Sequence, residues 1–352
     1  MKKIVFVIPN MTGGGTERVI SLLSDQYVKM GFEVAIMQFA GYQHAYELNE
    51  KVEDFCIAPQ SHRNPVTMIR RIVDMRRYYR ENPDCYIFAF CVNGTVFSVL
   101  ATLGRKRHLL VAERSSPLSC KEPRIRNWAY RYADRIAFQT PDGIRFFPKQ
   151  IADKAVIIPN AVAGDVPERY TGKRSKRIAS VGRLGKEKNH RLLLEAFALF
   201  RKKITDYELH VYGEGELEQE LKSYAKVLGI SEAVVWHGFC PNARNEIVDF
   251  GMFVLPSDYE GISNSMVEAL GMGIPTIATD CPIGGARTYI EDGVNGLLVP
   301  VGDKDAMAKA MERIALDGDF AERLSVNAAK IREKYSMENI AKQFLEAAGI
   351  HE

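Results

Sequence analysis

An apolar run followed by a segment of helical period recurs along the whole chain, stops once, and then begins again. Residues 4–8 read as a buried strand and 16–30 as a helix with apolar spacing. Strands follow at 33–37, 86–90, 109–111, 135–139 and 155–158, with helical segments at 65–79, 126–132 and 142–147 between them. Such alternation calls for parallel strands joined by helices that cover both faces of a sheet. Residues 160–175 break the pattern with Gly, Pro and charge. Strands then reappear at 177–181, 208–212, 234–237, 252–255, 276–279 and 296–299. Helices are expected at 190–202, 216–228, 263–270, 287–290, 304–317, 320–333 and 337–348. The fold class predicted is α/β, with two Rossmann-like doubly wound domains facing a cleft. The boundaries are 1–165 and 166–334, and a last helix near 335–352 packs back on the first domain. Ligands of such sheets bind beyond the carboxyl ends of the strands.

Composition supports this reading: 46% apolar and 26% charged residues exclude a disordered or fibrous chain, and 352 residues suit two domains. The net charge of +3 gives no reason to expect a nucleic-acid partner. The halves differ: residues 1–165 hold 23 Lys/Arg against 16 Asp/Glu, and the remainder 24 against 28, so only the first half is basic. The six cysteines include no C-x-x-C pair, which argues against a zinc or thioredoxin-like site and for reduced thiols. The first apolar run ends at Pro9-Asn10, too short for a signal-peptide core. Residues 85–104 carry no charge over a membrane-span length, but Asn93-Gly94-Thr95 interrupts them. They parse instead as a strand, a turn and an apolar helix over 95–103.

The segment Ser257-Asp-Tyr-Glu260-Gly-Ile-Ser-Asn264-Ser265-Met-Val-Glu268 is the most informative. It follows an apolar strand and opens a helix, with Ser263 or Asn264 as N-cap. The backbone N–H groups at that helix start, around Asn264 and Ser265, suit a phosphate. Glu260 in the loop and Glu268 one turn into the helix suit the hydroxyl pairs of sugars on either side of a diphosphate. Cations for the phosphates stand in Val181-Gly-Arg183-Leu-Gly-Lys186-Glu-Lys188, directly after a strand. Arg183 offers a fork and Lys188 a point charge. Glycine turns at Gly13-Gly14-Gly15, Gly213-Glu-Gly215 and Gly284-Gly285 allow close backbone approach. The first is not G-x-G-x-x-G, so a nicotinamide-cofactor site is not indicated.

With these motifs the sequence resembles, over nearly its whole length, the retaining GT-B glycosyltransferases of family 4 (glycosyl transferases group 1). The strongest match is E-x7-E, here Glu260 to Glu268, supported by Gly-Gly-Thr-Glu, Val-Gly-Arg-Leu with Lys188, Gly-Glu-Gly, His-Gly-Phe and Asn-Gly-Leu-Leu-Val. The resemblance implies transfer of a hexose or N-acetylhexosamine from a nucleotide sugar, with a UDP-sugar as the expected donor. Arg183 and Lys188 would hold the diphosphate, Glu268 the ribose and Glu260 the transferred sugar. Gly284 and Gly285 would give backbone contacts near that sugar. Gly213 and Phe239 would lie near the base, while Gly14 and Gly15 would close over the phosphates from the first domain. No cofactor or metal is required in the family, and no Asp-x-Asp pair lies near the cradle. Where many relatives carry a His in the first domain, this chain has Val111-Ala-Glu113-Arg114. Glu113 and Arg114 are expected on the acceptor side, with no base assigned.

The segment from Met68 to Arg80, with Arg70, Arg71, Arg76, Arg77 and Arg80, is a basic amphipathic helix suited to an anionic inner leaflet. Relatives that elongate lipid-linked glycans have such a first domain. The acceptor expected is therefore a saccharide on a polyprenyl diphosphate, for a cell-surface polymer, with the protein cytoplasmic and peripheral. Two other readings are a sugar-nucleotide epimerase of similar shape and a non-catalytic nucleotide-sugar-binding subunit at the membrane. The first needs further cleft carboxylates and the second a broken cradle.

Overall fold

The computed structural model describes residues 2–12, 14–42, 44–57, 65–105, 107–114, 117 and 120–351. Contacts divide the chain into two units, Met1–Ala161 with Met337–Glu352, and Val162–Ser336. The division falls at 161/162, against 165/166 from sequence, because the Val162 N–H donates to Tyr335 O at 2.8 Å and Val162 bridges Ser336.

The first unit holds seven parallel strands: β1 (Lys3–Ile8), β2 (Glu33–Gln38), β3 (Glu53–Cys56), β4 (Tyr86–Ala89), β5 (His108–Glu113), β6 (Arg135–Phe138) and β7 (Ala155–Ile157). Their order is β3-β2-β1-β4-β5-β6-β7, so the direction of winding reverses between β1 and β4. Ile4, Val5, Phe6 and Val7 are all fully buried, as a central parallel strand covered on both faces requires. Val5 and Val7 pack with Met75, Tyr79 and Phe97. On the other face Phe6 meets Tyr27 and Phe88, and Phe88 meets Phe344 of the helix Met337–Ala347. Tyr27 also donates its hydroxyl to Ala341 O at 3.1 Å.

Three features of this unit depart from the sequence reading. β3 was not foreseen, since Glu-Asp-Phe-Cys is a half-exposed edge strand with no apolar run. The apolar helix of the uncharged stretch starts at Val92, not 95. Cys91 Sγ accepts the Gly94 N–H at 3.1 Å, so the apparent Asn-Gly turn is a capped first turn. Among the described residues no helix is long and apolar enough to cross a membrane. Finally, the arginines of the helix Pro65–Glu81 do not form one face. Arg71 is buried, and Arg76 donates to Ala101 O and Leu103 O, both at 3.2 Å, beyond the end of the next helix. Arg70, Arg77 and Arg80 remain exposed, as do Val66, Met68, Ile69 and Val73 of the same helix.

The second unit holds β8 (Ser175–Val181), β9 (Glu208–Tyr212), β10 (Val234–Gly238), β11 (Phe250–Leu255), β12 (Thr276–Thr279) and β13 (Leu297–Val299), all parallel. The order β10-β9-β8-β11-β12-β13 reverses between β8 and β11. Ile178, Val211 and Val254 fill one face with Leu193, Phe197 and Met311 from the covering helices. The short helix expected at 287–290 is a turn: the Thr288 hydroxyl and N–H both go to Gly284 O, at 2.9 and 3.1 Å. The helix expected at 320–333 is broken at Lys330 into Gly318–Ala329 and Ile331–Lys334.

Candidate functional site

Every second-unit residue singled out in the sequence lies at the carboxyl ends of adjacent strands. Phe239 follows β10 and Gly213 follows β9. Arg183 and Lys188 follow β8, Glu260 and the helix Asn264–Gly271 follow β11, and Gly284 and Gly285 follow β12. The reversal between β8 and β11 leaves a crevice at this point, where open α/β sheets take their ligands.

Backbone packing builds the loops. The Gly182 N–H donates to Tyr212 O and the Leu184 N–H to Glu214 O, each at 2.9 Å, so the β8 and β9 loops are laced together. Gly213 has φ +134, and a Cβ there would lie 2.0 Å from Gly182 O. Its missing side chain therefore makes room for the β8 loop. Phe239 is 72% exposed, with its N–H on the Glu214 carboxylate at 3.2 Å. Across the crevice Gly284 needs its left-handed φ of +76, and a Cβ on Gly285 would meet Gly261 O at 1.5 Å. The β12 loop thus rests on the backbone next to Glu260.

Lys188 is aimed by its neighbours. Asn189 adopts φ +43, caps the following helix by accepting the Leu192 N–H, and donates to Asp258 Oδ1 at 2.7 Å. The Asp258 N–H returns to Glu187 O at 2.9 Å. With these loops zipped, Lys188 Nζ forms an ion pair with Glu260. Arg183 does not join that pair; it is 67% exposed and bonds Glu187 at 2.5 Å. Burial pushes the Glu187 carboxyl up, but the Arg183 hydrogen bond and a backbone N–H hold it below its ordinary value. Ser263 is the N-cap residue of Asn264–Gly271, yet its hydroxyl meets Ser265 Oγ at 3.0 Å and does not cap. Ser265 Oγ donates to Val181 O at 2.8 Å, which ties the helix start to β8. Glu268 Oε1, on the same helix, stands 3.8 Å from Arg244 Nη1.

In the first unit a cavity of about 460 Å³ opens at the β1/β4 reversal, lined by Glu17, Cys91, Asn93, Glu113 and Arg114 among others. Glu113 accepts the Tyr130 hydroxyl at 2.9 Å. Arg114 donates to Ile158 O at 3.0 Å and to Asn160 Oδ1, so its guanidinium ties β5 to the end of β7. Gly14 and Gly15 open the helix Gly15–Lys29 with no side-chain cap. A Cβ on Gly14 would lie 2.5 Å from Glu17 Oε2, so this loop carries a carboxylate of its own. Burial raises the Cys91 thiol to about 12, which leaves it a neutral wall of the cavity.

Sequence reasoning passed over Glu187, Arg244 and His190, and quoted Glu17 only as part of Gly-Gly-Thr-Glu. Glu187 had a signal, since it separates two lysines beside Arg183. Arg244 had none, because its partners Asp165 and Glu268 are distant in the chain. Among the described residues no group of three or more His, Cys, Asp or Glu is arranged to hold a metal.

Residues 167–331 match the family described as glycosyl transferases group 1. Over 98% of both chains the sequence is 25% identical to a Campylobacter jejuni α-1,4-N-acetyl-D-galactosaminyltransferase, whose name gives a diNAcBac-PP-undecaprenol-linked saccharide as substrate. A second C. jejuni enzyme, an N-acetylgalactosamine-N,N'-diacetylbacillosaminyl-diphospho-undecaprenol 4-α-N-acetylgalactosaminyltransferase, is 27% identical over 95% of both. Anabaena HepE, solved with UDP and glucose, superposes with a TM-score of 0.84 over 99% of this chain and 100% of that one, at 18% identity. With two parallel doubly wound sheets, a match of the second unit to the glycosyl transferases group 1 family and glycosyltransferase relatives aligned along its length, this chain is a glycosyltransferase of GT-B fold.

Proposed function

We propose that the protein is a retaining, family 4 hexosyltransferase. It moves a hexose or N-acetylhexosamine from a UDP-sugar to a polyprenyl-diphosphate-linked saccharide in cell-surface polysaccharide synthesis. The observation that carries this is the Lys188–Glu260 pair at the sheet reversal with Arg183 on the same loop. A cation beside a hydroxyl-binding carboxylate suits the junction between a diphosphate and a sugar.

In the reaction the bond from the sugar C1 to the diphosphate oxygen breaks, and its electron pair leaves on the nucleoside diphosphate. Lys188 and Arg183 meet that growing charge, the largest catalytic term fixed side chains supply here. Glu260 accepts hydroxyls of the sugar and holds its ring. The acceptor oxygen bonds C1 on the face the diphosphate leaves, and its proton passes to the departing phosphate oxygen. Glu268 takes the ribose hydroxyls, the helix start at Asn264 and Ser265 the phosphate, and the exposed Phe239 ring the base. Gly284 and Gly285 line the sugar, and Gly14 and Gly15 approach the diphosphate. No metal has a role in this scheme. The cavity beside Glu113 and Arg114 takes the acceptor saccharide. The names of the C. jejuni relatives support the acceptor class and an N-acetylhexosamine donor.

The same reading makes the protein cytoplasmic and peripheral, held to an anionic leaflet by the first unit. Arg70, Arg77 and Arg80 are exposed on the helix Pro65–Glu81 and supply cations for anionic headgroups, with Val66, Ile69 and Val73 exposed on the same helix. The test is a panel of nucleotide sugars with a polyprenyl-diphosphate disaccharide, followed by anomeric analysis of the product. Transfer with an α-linkage from an α-donor supports the reading. Inversion, epimerised donor without transfer, or binding without turnover each overturns it. Failure of the unaltered protein to bind phosphatidylglycerol vesicles would remove the membrane assignment, and binding that persists after Arg70, Arg77 and Arg80 are changed to Glu would move it off this helix.

A further inference from the structure

We propose that Arg244 is a positioning residue: it fixes the Glu268 carboxylate for the ribose hydroxyls of a nucleoside diphosphate. The inference rests on the donor-site reading above and adds a residue that reading does not contain. Arg244 stands on the short helix Ala243–Ile247 after β10, and Glu268 on the helix after β11. Both side chains are largely out of water, 14% and 13% exposed. One arm of the guanidinium, Nη2, is bonded to Asp165, and the other, Nη1, stands 3.8 Å from Glu268 Oε1. The planar fork thus spans two carboxylates and cannot swing without leaving one of them.

Two consequences follow for Glu268. A hydroxyl-binding carboxylate has to stay ionised, and removal from water opposes that unless a cation is near. Arg244 is that cation. At 3.8 Å the contact is ionic and too long to be a hydrogen bond with that oxygen. Arg244 is also poorly used by its own surroundings, since its buried Nε has no hydrogen-bond partner. An arginine that only stabilised this helix would be expected to satisfy that nitrogen; one retained for charge and direction need not.

The test measures affinity for UDP, 2′,3′-dideoxy-UDP and pyrophosphate by titration calorimetry. In the unaltered protein, loss of both hydroxyls should weaken binding by about 10–100-fold. Glu268→Gln should abolish most of that ratio and leave pyrophosphate binding unchanged. Arg244→Met should do the same, to within about 3-fold, and Arg244→Lys should restore part of the ratio. Asp165→Asn weakens the second anchor of the fork without touching Glu268 and should lower the ratio by less than Arg244→Met does. If UDP fails to bind or Glu268→Gln keeps the ratio, the donor-site reading fails. If Glu268→Gln loses the ratio and Arg244→Met keeps it, the positioning role fails. Should Arg244→Met not fold, Arg244→Gln carries the same two outcomes.

Discussion

Lys188 and Glu260 are 72 positions apart in the chain, yet their side chains form one ion pair that joins the β8 loop to the β11 loop. Lys188→Ala and Glu260→Ala should each lower kcat at least about 100-fold. At 16% and 22% exposure, each deletion also strands a charge and should cost about 1–3 kcal/mol, with folding retained. The double variant should be more stable than the sum of the two losses, since neither charge is then left alone. Thermal melts and single-turnover transfer check this; normal transfer by both single variants would refute the site.

Arg183 and Glu187 should behave differently. Their pair is largely exposed on the Arg183 side, so Arg183→Ala should change stability by less than about 0.5 kcal/mol. It should nonetheless weaken nucleoside-diphosphate binding by about 10-fold or more, because a forked donor to phosphate is lost. Glu187→Gln frees the guanidinium from its present partner and should tighten diphosphate binding a few-fold. Weaker binding by Glu187→Gln in calorimetry would show that Glu187 aims Arg183 and does not compete for it.

Gly285→Ala places a Cβ in a space 1.5 Å from Gly261 O, where both sides are backbone and neither yields cheaply. The β12 and β11 loops must separate, and Glu260 moves with them. We expect a raised KM for the donor and a stability loss of about 1–3 kcal/mol. Gly293→Ala, with φ +74 and nothing near the added atom, should cost about 1 kcal/mol and leave KM unchanged. Equal KM values for the two variants would contradict the loop contact.

His190, directly after the Lys188 loop, is 3% exposed and neither ring nitrogen has a hydrogen-bond partner. Burial, helped by Lys188, lowers its pKa from 6.5 to about 4. The unfolded chain therefore takes up the proton first as pH falls. Stability is intact above pH 6.5, declines between 6.5 and about 4, and loses nothing more from this group below that. At pH 5 the loss should be about 2 kcal/mol. His190→Leu should flatten the fall in Tm between pH 7 and pH 5; an unchanged slope would assign the acid sensitivity to other groups.

The sheets were legible because parallel strands covered on both faces must be runs such as Ile4 to Ile8 and Met252 to Leu255. What escaped was decided by single hydrogen bonds: Cys91 capping Gly94, and Thr288 turning back onto Gly284. Edge strand β3 escaped because half-exposed Glu-Asp-Phe-Cys does not look apolar. In the site, the residue types at the strand ends could be read from spacing. Their pairing could not, since Lys188 with Glu260 and Arg244 with Glu268 depend on which loops the topology makes neighbours.

The bridge between Val162 and Ser336 has one more implication. The second unit starts and finishes at a single spot, so in chain terms it is an insertion between Ala161 and Met337. Excising it and splicing those two ends with a short turn would leave the first sheet and its returning helix as one continuous polypeptide. Each half of the enzyme is thus open to separate expression, exchange with a homologue, or circular permutation.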